Sequence, residues 1–125
     1  MLKPSYKAIK AALAKHAKIS VEIETEDLQI EGNASSIDED TDREHERWIR
    51  DQLERGNEYA WCRIVVKASW RGFEGYDSLG ACSYESRASL DQAIEYHGMR
   101  AEALIALANR VSESYEAISA LVRGK

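Results

Sequence analysis

At 125 residues, with 44% hydrophobic and 31% charged side chains, the chain is long enough to bury a core without disulfides or a metal. No apolar run approaches the roughly 20 residues of a membrane span, and no apolar stretch of signal-peptide type follows the N-terminal lysines. Its two cysteines, Cys62 and Cys82, lack CxxC spacing. They read as reduced core thiols of a cytoplasmic protein rather than as redox or metal ligands. The net charge of −5 is unevenly spread. Residues 1–18 hold five lysines and no acid, whereas residues 22–58 hold 14 acids and four arginines, a net of −10. The expectation is one domain over 1–125 with a basic arm and an acidic middle.

Pro4 to Lys18 predicts a helix. Leu2, Tyr6, Ile9 and Leu13 recur at helical spacing, alanines fill the gaps, and Pro4 suits the first turn. Ile19, Val21 and Ile23 then alternate with polar residues, as a strand with one wet face does. The phase slips at Leu28 and Ile30, which calls for either a bulge or a small hairpin near Glu26-Asp27. A polar loop runs from Gly32 to Asp40. Asp38, Asp40 and Asp42 imitate the opening of a calcium loop, but Arg43 and Ile49 stand where its Gly and bidentate Glu belong, so no metal is expected.

Thr41-x-x-Glu44 is a capping box, predicting a helix that starts near Asp42 and stops at Gly56. His45, Trp48, Ile49, Gln52 and Leu53 line one face. Glu46–Arg50, Arg47–Asp51, Arg50–Glu54 and Asp51–Arg55 are i,i+4 pairs. His45 has no second histidine at i+4, so a metal site is disfavoured.

From Tyr59 the alternation is strict. Ala60, Cys62, Ile64, Val66, Ala68 and Trp70 share one face of a long strand, and Tyr59, Trp61, Arg63, Val65, Lys67, Ser69 and Arg71 share the other. Gly72-Phe73-Glu74-Gly75 supplies turn chemistry, and Ser78–Tyr84 returns as a second strand. With the turn centred near Glu74, Cys82 falls opposite Val65 or Val66. Ser89-x-x-Gln92 is a second capping box. Leu90, Ile94, His97, Ala101, Leu104, Ala108, Val111, Tyr115, Ile118 and Val122 then keep a 3.5-residue repeat. They predict one long helix of about 50 Å, or two in line with a break at Gly98. Its far half needs a second surface, either the N-terminal helix or another copy of the chain, and a homodimer is expected there. The expected fold is α+β. An antiparallel sheet of three to four strands is covered on one face by helices, in the order α-β(β)-α-β-β-α with a long C-terminal helix.

Few residues point to chemistry. There is no nucleophile elbow, phosphate loop or dinucleotide fingerprint, so no catalytic residue and no cofactor is expected. Trp61, Trp70 and Phe73 near Arg63, Lys67 and Arg71 resemble a stacking platform for single-stranded nucleic acid. The simpler reading buries Trp70 in the core and covers Trp61 with a helix. Gly32-Asn33-Ala34, Ala60-Trp61-Cys62, Gly72-x-x-Gly75 and Leu79-Gly80-Ala81-Cys82-Ser83-Tyr84 together resemble a group of small proteins of tailed bacteriophages and prophages, over roughly residues 32–105. Where that pattern has a stretch ending in Asp-Met, this chain departs from it with Glu95-Tyr96-His97-Gly98-Met99. The resemblance implies a cytosolic protein of the infected cell and transfers no functional residue.

The expected function is accordingly non-enzymatic. Asp38, Glu39, Asp40, Asp42, Glu44 and Glu46 would meet a host defence or nucleic-acid-handling protein with a basic surface, as anti-CRISPR and anti-restriction proteins do. The alternative is a small nucleic-acid-binding module using the basic N-terminal helix and the Arg63/Lys67/Arg71 strand face, with direct nucleic-acid binding the weaker of the two.

Overall fold

The computed structural model describes residues 4–34 and 37–123. Leu2 of the predicted N-terminal stripe lies outside them. The element order is α1 (Tyr6–His16), β1 (Lys18–Thr25), α2 (Glu39–Glu54), a 3-10 turn (Glu58–Ala60), β2 (Cys62–Trp70), β3 (Phe73–Cys82), α3 (Arg87–Tyr96), α4 (Met99–Ser112) and α5 (Tyr115–Val122). The class is α+β, with one three-stranded antiparallel sheet in the order β1-β2-β3. No helix among the described residues is long and apolar enough to cross a membrane.

Strand β2 follows from its alternation. Cys62, Ile64, Val66, Ala68 and Trp70 are buried, and the residues between them are half-buried. Burying Ile64 or Val66 contributes about 1.5–3 kcal/mol each. The connection to β3 is tighter than a turn centred on Glu74. It is the two residues Arg71 and Gly72, at φ 49° and 83°, the pair of left-handed conformations of a type I′ hairpin. An arginine at φ > 0 costs about 1–2 kcal/mol against glycine. This turn sets Trp70 opposite Phe73, whose rings stack at 6.4 Å. By the same register, Cys82 falls at the Trp61-Cys62 end of β2 rather than opposite Val65 or Val66, and Tyr84 N–H donates to the Tyr59 carbonyl at 2.8 Å.

The expected fourth strand is absent among the described residues. Beyond Thr25 the chain leaves the sheet: Leu28 is 50% exposed, and its carbonyl accepts the Trp61 indole N–H at 2.8 Å. The phase slip at Leu28 and Ile30 is therefore an exit rather than a bulge or hairpin.

The single long C-terminal helix is corrected to three helices, of which the break at Gly98 was the expected alternative and the break at Ser114 was not. Gly98, at φ 62°, separates α3 from α4. Ser114, whose Oγ accepts from Ala117 N–H at 3.1 Å, opens α5. Past Gly98 the buried residues are Met99, Ala103, Leu107, Ala108 and Val111, so of the heptad positions Ala108 and Val111 are buried, whereas Ala101 is exposed and Leu104 half-buried. His97, expected on that stripe, sits exposed at the end of α3 with its ring edge-on to Tyr96.

The contacts gather the chain into two compact units, residues 1–21, 66–77 and 98–125 in one, and residues 22–65 and 78–97 in the other. In the first, α1, α4 and α5 pack together with the tip of the hairpin. Gly75 is the point of closest approach: a Cβ there would overlap the backbone nitrogen of Leu107 and lie 2.5 Å from the Ala103 carbonyl oxygen. Tyr6 Oη donates to Asn109 Oδ1 at 2.6 Å, tying α1 to α4. In the second unit, Ile49 of α2 packs on Ala60 and Trp61, with Ile30, Ala34, Trp48 and Ala81 around them.

Helix α1 starts two residues later than expected, and α2 and α3 start earlier than their capping boxes suggest. In α1 the cap is Ser5, accepting from Ala8 N–H at 3.1 Å, and Pro4 precedes it. In α2 the cap is Asp38 rather than Thr41, and in α3 it is Ser86 rather than Ser89. The α2 stop is as expected. Gly56 N–H donates to the Leu53 carbonyl and Asn57 N–H to that of Gln52, a Schellman pair around Gly56 at φ 89°.

Candidate functional site

The six acids expected to meet a partner all sit at the start of α2, and most already have local work. Asp38 accepts from Thr41 N–H at 2.8 Å and from the Thr41 hydroxyl at 2.9 Å. These hydrogen bonds, the backbone one foremost, hold its carboxyl below the usual range. Asp42 accepts from Ile37 N–H at 3.2 Å, and Glu39 pairs with Arg43. Glu46 turns away from its expected partner Arg50 and accepts from Gly32 N–H at 3.2 Å, while Arg50 pairs with Glu31. Of the predicted helix pairs, Asp51–Arg55 forms at 3.0 Å. Asp40 and Glu44 make no ion pair among the described residues. With Glu31, Glu46, Arg43, Arg47 and Arg50 they line a wholly charged hollow of about 510 Å³.

The aspartates of the calcium-like pattern cap and open a helix instead of wrapping a loop. Among the described residues no group of three or more His, Cys, Asp or Glu could hold a metal ion. His45 lies 3.4 Å from the Ser83 hydroxyl and 6.2 Å, ring to ring, from Trp48.

The expected basic strand face is dispersed. Arg63 donates to Ser78 Oγ at 3.0 Å and reaches over Gly80 together with Glu26, which accepts from Ala81 N–H at 2.6 Å. Lys67 pairs with Glu74 at 3.9 Å. Trp61 and Trp70 are both buried, so neither offers an open ring to a base. Cys62 and Cys82 are buried free thiols. Burial first, then the neighbouring Cys82, pushes the Cys62 thiol up to about 12, and burial raises Cys82 as well.

The seam expected to join two copies divides. Leu90 and Ile94 are buried in one unit, and Ala108 and Val111 in the other. Ala101 and Leu104, with Ile105, line a shallow groove against Lys7, Lys10, Ala11 and Ala14 of α1.

Of the expected stacking platform, Trp70, Phe73 and Arg71 do come together at the hairpin tip, joined there by residues of the last helix. Arg71 caps the ring of Trp70 at 5.6 Å, and the two border a hollow of about 570 Å³ together with Phe73, Tyr115, Glu116 and Arg123. Tyr115, Glu116 and Arg123 were not foreseen in it, because no spacing along the chain sets α5 beside the hairpin tip.

Charge divides by unit. The acidic unit has six Lys/Arg against 17 Asp/Glu, and the basic unit has eleven against five. Compared with known proteins, the chain matches no family model, no curated protein and no solved structure.

Proposed function

We propose that this chain is a non-enzymatic interaction protein whose acidic unit docks on a basic surface of a host defence or nucleic-acid-handling protein in the cytoplasm of the infected cell. The observation that carries the reading is the net charge of −11 on the unit built from residues 22–65 and 78–97. A surplus of that size steers a positively charged partner and repels nucleic acid. Within the expected set, Asp40 and Glu44 are the contact residues, since Asp38, Glu39, Asp42 and Glu46 are engaged in holding α2 and the loop before it. The phage or prophage setting rests on the resemblance over residues 32–105.

Capture from a host lysate by the immobilised chain tests this. The expected result is retention of a defence or nucleic-acid-handling protein at about 50 mM salt and its release at about 0.5 M, where the screening length shrinks toward contact distance. Retention of no such protein at low salt contradicts the reading.

A further inference from the structure

We propose that the hollow between the hairpin tip and α5 binds an unpaired nucleotide of single-stranded nucleic acid. It is independent of the acidic-surface reading, because every residue it uses belongs to the basic unit.

Three observations meet there. Tyr115, on the first turn of α5, is 73% exposed, a large aromatic ring presented to solvent at the rim of a hollow instead of in the core. Such a ring is what a base stacks on, and every base has a π-face to offer it. Arg71 and Arg123 border the same hollow, and neither makes an ion pair among the described residues. Arg71 lies with its Cζ 5.6 Å from the Trp70 ring centroid. That contact holds the guanidinium beside the ring, and its N–H groups can still engage a phosphate. The single acid of the lining, Glu116, leaves a net charge of +1.

The third observation is backbone strain. Arg71 holds φ 49° at a turn position where Asn, Asp or Gly is preferred. Nothing in the turn requires an arginine, so the strain points to a use for its side chain. The acidic balance of the whole chain is no obstacle, since the unit holding the hollow carries +6.

The test is fluorescence anisotropy of a labelled 15-residue oligothymidylate and of a duplex of equal length, titrated with the full chain at about 50 mM salt. The single strand is expected to bind and the duplex to bind at least tenfold more weakly, because stacking needs an unpaired base. Tyr115→Ala and Arg123→Gln, both at exposed positions, should each weaken single-strand binding about tenfold or more. Arg71→Asn should weaken it similarly while keeping or raising the melting temperature, since Asn-Gly suits this turn better. Asp40→Asn with Glu44→Gln should leave it intact. No single-strand binding up to about 100 µM protein, equal duplex binding, or unchanged affinity in the Tyr115 and Arg71 variants would overturn the proposal.

Discussion

At the scale of single residues, the acids of α2 do two kinds of work that charge alone does not separate. Asp38 is a cap first. Its carboxyl is held below the ordinary aspartate value by the hydrogen bonds from Thr41. Its contribution to stability is therefore complete above that value and is lost as pH falls through the lower folded one. Asp38→Ala is expected to lower the urea midpoint at pH 7, whereas Asp38→Asn, an equally good cap without a charge, should preserve it. Relative to the Asn variant, the native chain should lose stability as the pH is taken from about 5 to about 2. An unchanged midpoint in Asp38→Ala would remove the cap. The cysteines give a second check at this scale. With both thiols buried and Cys62 pushed up to about 12, thiol reagents at pH 8 should modify neither in the native chain and both in denaturant. Rapid modification of the native chain would place a thiol at the surface.

Among elements, the hairpin was legible and the C-terminal helices were not, for different reasons. Period two in β2 admits one interpretation, because a slip of one residue would expose Ile64 and Val66. A 3.5-residue repeat is less demanding. Leu90 to Val122 satisfies it on paper, yet Gly98 at φ 62° and the Ser114 cap interrupt the helix, and each short helix buries its own residues. Capping boxes misled by one turn at Thr41 and at Ser89, because a matching Ser/Thr-x-x-Glu/Gln can recur just inside a helix already started by Asp38 or Ser86.

The Gly72-x-x-Gly75 pair separates turn chemistry from packing. Gly72 needs its positive φ and has open space around it, so Gly72→Ala should cost about 1 kcal/mol. Gly75 needs to be bare because α4 lies against it. Gly75→Ala should cost about 3 kcal/mol or more, since the obstruction is helix backbone that no rotamer change relieves. Equal costs in urea denaturation would contradict this contact between β3 and α4.

For the whole molecule, the charge pattern was already visible along the chain and survives folding. The lysine-rich arm of residues 1–18 joins a unit of +6, and the acidic stretch of residues 22–58 joins a unit of −11. The division into units itself was not legible. All three strands contribute residues to both, so no linker, proline run or change of composition marks a boundary. Nor could spacing show which acids were already engaged. Glu46 and Gly32, fourteen residues apart, meet only because the chain leaves β1 and runs back past α2.

The most direct measurement is recapture of the lysate partner at about 50 mM salt by three forms of the chain side by side: native, Asp40→Asn with Glu44→Gln, and Arg71→Asn. Neutralising Asp40 and Glu44 should abolish or sharply reduce retention, while Arg71→Asn, in the basic unit, should retain the partner as the native chain does. Full retention by the neutralised form, with its fold intact, would contradict docking through the acidic unit.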